Sequence, residues 1–135
     1  MAKAPSLQGC PEMGHNRMPG QQIGGWPPRP CPECMKLFEP KVANQLFCCP
    51  QHNNDFTNRW TKRGRVLTPL AMVARATRNG TQGSAEAREA GRKASNDHNA
   101  LVKRYRDEDR AAEPPRMDWT EFHIRRVALG FDPLK

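Results

Sequence analysis

The stretch CPECMKLFEPKVANQLFCCPQH, residues 31–52, decides how this chain is read. Cys31 and Cys34 are two residues apart, a gap that lets one tight turn aim both thiolates at a single ion, and Pro32 narrows the turn's freedom. Downstream, Cys48 and His52 are four apart, so a helix starting at Pro50 places them on the same side of its first turn. Three thiolates and one imidazole complete a tetrahedral Cys3His set suited to one structural zinc ion, with Cys31, Cys34, Cys48 and His52 as the metal ligands. Cys49 also stands at a workable spacing from His52. Phe47 and the helix phase favour Cys48, which leaves Cys49 as a small buried residue or a free thiol.

Composition explains why such a site is needed. Leu, Ile, Val and Phe supply only about 15% of the 135 residues, and the formal net charge is +8. Few aliphatics and high charge mark a chain that needs help to fold. The five cysteines form an odd set with no apolar signal segment behind Lys3, which favours metal ligation over a secreted disulfide framework. The longest apolar run, Leu70 to Ala74, is far short of the roughly 18 residues of a membrane helix. The expectation is a soluble, cytoplasmic protein with no membrane association.

CPEC, followed by Phe38, Pro40, Gln45, Phe47, Cys48 and Pro50 and then a basic helix, resembles the FCS-type (MYM-like) treble-clef zinc fingers of small bacterial and phage proteins. The resemblance covers residues 31–65. It implies a zinc knuckle, a β-hairpin and a helix whose first turn carries the last two ligands, which places the ligands at Cys31, Cys34, Cys48 and His52. Cys49 stands where that family has Ser, His52 where it has Cys, and Met35 where it has the knuckle Gly. Its members bind DNA, RNA or protein, so the resemblance implies a fold more than an activity.

Around this module the chain reads as a small α+β zinc-binding domain flanked by other segments. Residues 1–30 are a flexible arm rich in Pro and Gly, with Trp26 as an anchor against the zinc module. Cys10 and His15 in the arm resemble half a knuckle without a second Cys. Met35 to Phe47 predicts a short hairpin that pairs Leu37 and Phe38 with Leu46 and Phe47. The zinc helix is expected from Pro50 to about Arg63, with Gly64 as its stop and with His52, Phe56 and Trp60 along one face.

The region 66–135 reads as mainly helical, over about 68–79, 84–112 and 118–129. Thr68 and Pro69 announce the first helix, with Leu67 stapled to Met72, Leu70, Val73, Ala74 and Thr77 buried, and Gly80 as its stop. The second carries Ala87, Ala90, Ala94, His98, Leu101 and Tyr105 on one side. The third has an Asp118–Glu121 capping box, a Met117–Phe122 staple, core-facing Trp119, Phe122, Val127 and Leu129, and Gly130 as its stop.

Charge is unevenly distributed. Between Phe56 and Ala85 lie six cations, Arg59, Lys62, Arg63, Arg65, Arg75 and Arg78, and no acid. Such a run can neutralise several phosphates. The helix 84–112 instead mixes both signs, as a solvated surface does. The leading expectation is a nucleic-acid-binding protein using those six residues, on DNA in preference to RNA because no aromatic stacking motif of an RNA module occurs. The alternative is an adaptor or inhibitor that binds a protein or nucleoprotein machine through its arm and helices. Catalysis is not expected. No paired carboxylates or nucleophile–base pair stand in a recognisable setting, and the module's one His is assigned to the metal, so no small-molecule substrate follows.

Overall fold

The computed structural model describes residues 25–135; Cys10, His15 and the arm up to residue 24 lie outside them. The described elements are β1 (Arg29–Pro30), β2 (Leu37–Phe38), α1 (Pro50–Ala76), α2 (Ala85–Ala111) and α3 (Trp119–Ala128). No helix among them is long and apolar enough to cross a membrane. They fall into two compact units, residues up to 57 with 109–135, and residues 58–108.

In the first unit the antiparallel pair β1–β2 brackets the CPEC turn, with Arg29 opposite Phe38 and Pro30 opposite Leu37. The expected pairing of Leu37 and Phe38 with Leu46 and Phe47 does not form. The CPEC turn closes on itself instead. Cys31 N–H donates to the Lys36 carbonyl (3.0 Å) and Met35 N–H to the Cys31 carbonyl (2.7 Å). Met35 takes φ 60°, the left-handed conformation for which a knuckle usually employs Gly. With the edge of β2 committed to β1, residues 41–49 are held as a loop. Arg29 donates to the carbonyls of Ala43 (3.0 Å) and Gln45 (2.9 Å), and the Gln45 amide donates to the Phe47 carbonyl (2.8 Å).

The core of this unit is aromatic and sulfur-rich. Phe47, Phe56 and Phe122 are buried together, with ring centroids 5.2 Å apart for Phe47–Phe56 and 4.8 Å for Phe56–Phe122, and Trp119 packs edge-on to Phe122 at 5.6 Å. Such pairs add about 0.5–1.5 kcal/mol each beyond the area they bury, which suits a chain poor in aliphatics. Asp118 caps α3 through the Thr120 N–H (3.0 Å), while Glu121 pairs with Arg125 (3.6 Å). Met117 and Phe122 are buried as expected, but Val127 points to solvent.

The second unit holds the larger departure. α1 does not stop at Arg63; it continues through Gly64 and Pro69 as one helix of 27 residues. By propensity alone an interior Gly and an interior Pro cost about 1 and 3 kcal/mol. Packing offsets this, because residues 58–76 of α1 run antiparallel to 85–108 of α2. Thr77 lies against Gly91, and fourteen residues earlier Arg63 lies against Tyr105, fourteen residues after Gly91, so one register holds along the pair. The buried and half-buried positions include Arg63, Leu67, Leu70 and Ala74 of α1 with Thr77 just after it, and Ala87, Gly91, Ala94, His98, Leu101 and Tyr105 of α2. Ala90 is exposed and Gly91 takes its place in the stripe. Val73 and Met72 are exposed too, because a continuous helix turns them away from α2. At the end of α1, Arg78, Asn79 and Gly80 all have positive φ. Thr77 closes that turn, its carbonyl accepting from the N–H groups of Gly80 (3.1 Å), Thr81 (2.8 Å) and Gln82 (2.9 Å).

Candidate metal centre

Three local structures bring the site together. The CPEC turn presents Cys31 and Cys34, the loop after residue 40 delivers Cys48, and the first turn of α1 delivers His52. Pro50 suits the start of that helix because it has no N–H to satisfy, and the Cys49 carbonyl accepts from Asn53 N–H at 3.2 Å.

All four predicted ligands are buried, and their donor atoms lie within 4.8 Å of one another. Cys48 Sγ is 3.1 Å from His52 Nδ1, Cys31 Sγ is 3.7 Å from the same nitrogen, and Cys34 Sγ is 3.9 Å from Cys48 Sγ. A tetrahedral ion with metal–sulfur bonds of about 2.3 Å and metal–nitrogen bonds of about 2.0 Å separates sulfurs by about 3.8 Å and sulfur from nitrogen by about 3.5 Å. The two sulfur–nitrogen separations bracket the second figure, and the Cys34–Cys48 separation lies close to the first. The cluster is therefore compatible with a single metal ion held by Nδ1 and three sulfurs. Cys49 Sγ lies 3.7 Å from Cys48 Sγ, buried but outside the four-donor group.

The chemical state of the sulfurs sets a condition on binding. Cys31, Cys34 and Cys49 are free thiols, and a sulfur binds the metal as its thiolate. Ligation by all four donors thus belongs to the reduced chain. Burial pushes the Cys34 thiol up to about 11; a backbone hydrogen bond from Lys36 opposes this, and the neighbouring Cys31 adds to it. A metal must displace that proton to bind.

The first unit also contains an ionic lattice around the CPEC turn. Glu33, between the two cysteines, accepts from Arg116 Nε (3.3 Å), and Arg116 Nη1 donates to Asp109 Oδ1 (3.0 Å). Asp109 Oδ2 accepts from the Trp119 indole (2.9 Å), and Met117 N–H donates to the Pro32 carbonyl (3.0 Å). Arg125 donates to the Pro30 carbonyl. Both sides of the knuckle are thereby tied to residues 109–125. Nothing local in the sequence marks these residues, since each partner is acidic or basic in a chain full of both.

Among the six predicted nucleic-acid contacts, Lys62, Arg65, Arg75 and Arg78 are exposed and Arg59 is half-buried. Arg63 is not available: only 8% exposed, it pairs with Glu108 (3.2 Å) and stacks over the Tyr105 ring at 4.8 Å. Its place on the inner side of α1 follows from the helix continuing past Gly64. Comparison with known proteins returns no matching family, no similar curated protein and no similar solved structure.

Proposed function

We propose that this chain is a zinc-stabilised nucleic-acid-binding protein that contacts DNA through α1 and the turn following it. The observation that carries the reading is the acid-free stretch from Phe56 to Ala85, which presents exposed Lys62, Arg65, Arg75 and Arg78. Each phosphate contact such residues make releases counterions, so affinity falls steeply as salt rises. Arg59 contributes from its half-buried position, and Arg63 serves the fold.

The zinc is structural. Four protein donors close a tetrahedral site, and no position remains for water or substrate. The chemistry of the donor set supports zinc over harder cations, because buried thiolates and imidazole do not suit magnesium or calcium. A treble-clef-like description is supported by the knuckle between β1 and β2 and by a ligand-bearing helix start; the absent second hairpin is a departure from it. The experiment is a gel-shift series on duplex DNA at rising salt, with Lys62→Ala/Arg65→Ala beside the parent. Binding that weakens with salt, and a shallower salt slope in the variant, are expected. No shift at low salt sinks the reading.

A further inference from the structure

The second half of α1 carries an exposed apolar stripe that phosphate binding does not use. At 3.6 residues per turn, Lys62, Arg65, Val66, Pro69, Met72, Val73 and Ala76 fall within about 120° of arc, centred about 120° round the helix from Arg63, Leu67, Leu70, Ala74 and Thr77. The inner set faces α2. The outer set is open to solvent, with Val66 46%, Met72 67% and Val73 38% exposed. Val66, Pro69, Val73 and Ala76 follow the three-four spacing of a second helix-packing seam, the pattern that receives another helix. Lys62 and Arg65 lie on this face, Arg75 lies about 60° outside its arc and Arg78 follows the helix, with no acid between Phe56 and Ala85.

We propose that this outer face of α1 docks an acidic amphipathic helix of a partner protein. The seam spacing selects a helix, and the one-sided charge selects acidic flanks on it. Self-pairing of the same face is disfavoured, because it would bring like cations together without an acid. A membrane surface is also a poor fit, since interfacial helices anchor with Trp, Phe and Leu whereas this stripe offers Val, Met, Pro and Ala.

The test uses the full zinc-loaded chain and a labelled synthetic helix of alternating Leu and Glu heptads, read by fluorescence anisotropy. Val66→Ser/Met72→Ser removes the apolar anchors and keeps every charge; both side chains are exposed, so zinc content and circular dichroism should not change. Affinity for the peptide should fall at least about tenfold in this variant. Duplex DNA binding should be unaltered, which separates this proposal from the nucleic-acid reading. Equal peptide affinity in parent and variant would mean that charge alone attracts the peptide, and the docking site would be refuted. Binding to phosphatidylserine vesicles that depends on Val66 and Met72, without peptide binding, would overturn it in favour of a lipid surface.

Discussion

Glu33 and Arg116 are joined at 3.3 Å although 83 residues separate them in sequence, and Arg116 passes on to the buried carboxylate of Asp109. One guanidinium thus serves two buried acids, one of them inside the metal-binding turn. Replacing it removes this guanidinium from both. Loss of one member of a fully buried pair costs about 3–5 kcal/mol, and Arg116 is exposed enough for water to lessen that, so Arg116→Met should lose about 2–3 kcal/mol. Urea unfolding measures it. Glu33→Gln in the same chain should recover part of the loss, and a single variant within 0.5 kcal/mol of the parent, a margin of ordinary surface substitutions, would show that the lattice contributes little.

The metal centre predicts a division among the cysteines. After reduction, the parent should take up one equivalent of zinc, measured by mass spectrometry under native conditions. Cys31→Ser, Cys34→Ser, Cys48→Ser and His52→Ala should each weaken it strongly, and Cys49→Ser should bind as the parent does. Without a reductant uptake should fall, because a sulfur oxidised to a disulfide offers the metal no thiolate. Stripping zinc from the loaded chain should unfold the first unit, since binding free energy and folding free energy are shared at such sites. Unchanged circular dichroism after chelation would remove the basis for a structural metal.

How much of this was legible in advance depends on the range of the signal. The four donors could be read from residues 31–52 because metal spacing is a local constraint, and the Asp118 cap could be read for the same reason. The hairpin was misplaced because Leu46 and Phe47 look as strand-like as Leu37 and Phe38, and only the turn's own hydrogen bonds decide that β2 pairs with Arg29–Pro30. Gly64 and Pro69 are strong local breakers, yet tertiary cover from α2 overrode both. That single override also relocated Arg63 inward and Met72 outward. Glu33, Asp109 and Arg116 could not be found, because no periodicity links residues so far apart.

Acidity should act on the metal and alkalinity on the metal-free fold. With the Cys34 thiol raised to about 11 by burial, the folded apo chain favours the protonated thiol. The sign follows: this group's stabilising contribution is complete below the ordinary thiol value near 9 and is lost as pH rises through about 11. The metal-free chain should therefore weaken above pH 9. Zinc affinity should move oppositely, falling as pH drops by up to about tenfold per pH unit for each thiol proton released. A zinc titration with a chromophoric competitor at several pH values checks the second limb, and alkaline melting of the reduced apo chain checks the first.

Gly91 supplies the last prediction. A Cβ there would run into Thr77 Oγ1 and lie 2.7 Å from the Thr77 Cβ and 3.0 Å from the Gly80 Cα, too close for these groups to remain in place. In an exposed helix interior Gly→Ala would stabilise by about 1 kcal/mol through propensity. Here the steric term should win. Thr77 cannot swing aside freely, because its hydroxyl donates to the Val73 carbonyl (2.9 Å) and accepts from Gly80 N–H (3.1 Å). Gly91→Ala should therefore destabilise by about 1–3 kcal/mol, the usual range for overpacking. Thr77→Ser would retain the clashing hydroxyl, whereas Thr77→Ala/Gly91→Ala removes it but keeps the Cβ at 2.7 Å, and should recover part of the stability lost by Gly91→Ala alone. A Gly91→Ala chain that melts at or above the parent temperature would mean that the two helices are not held at this approach.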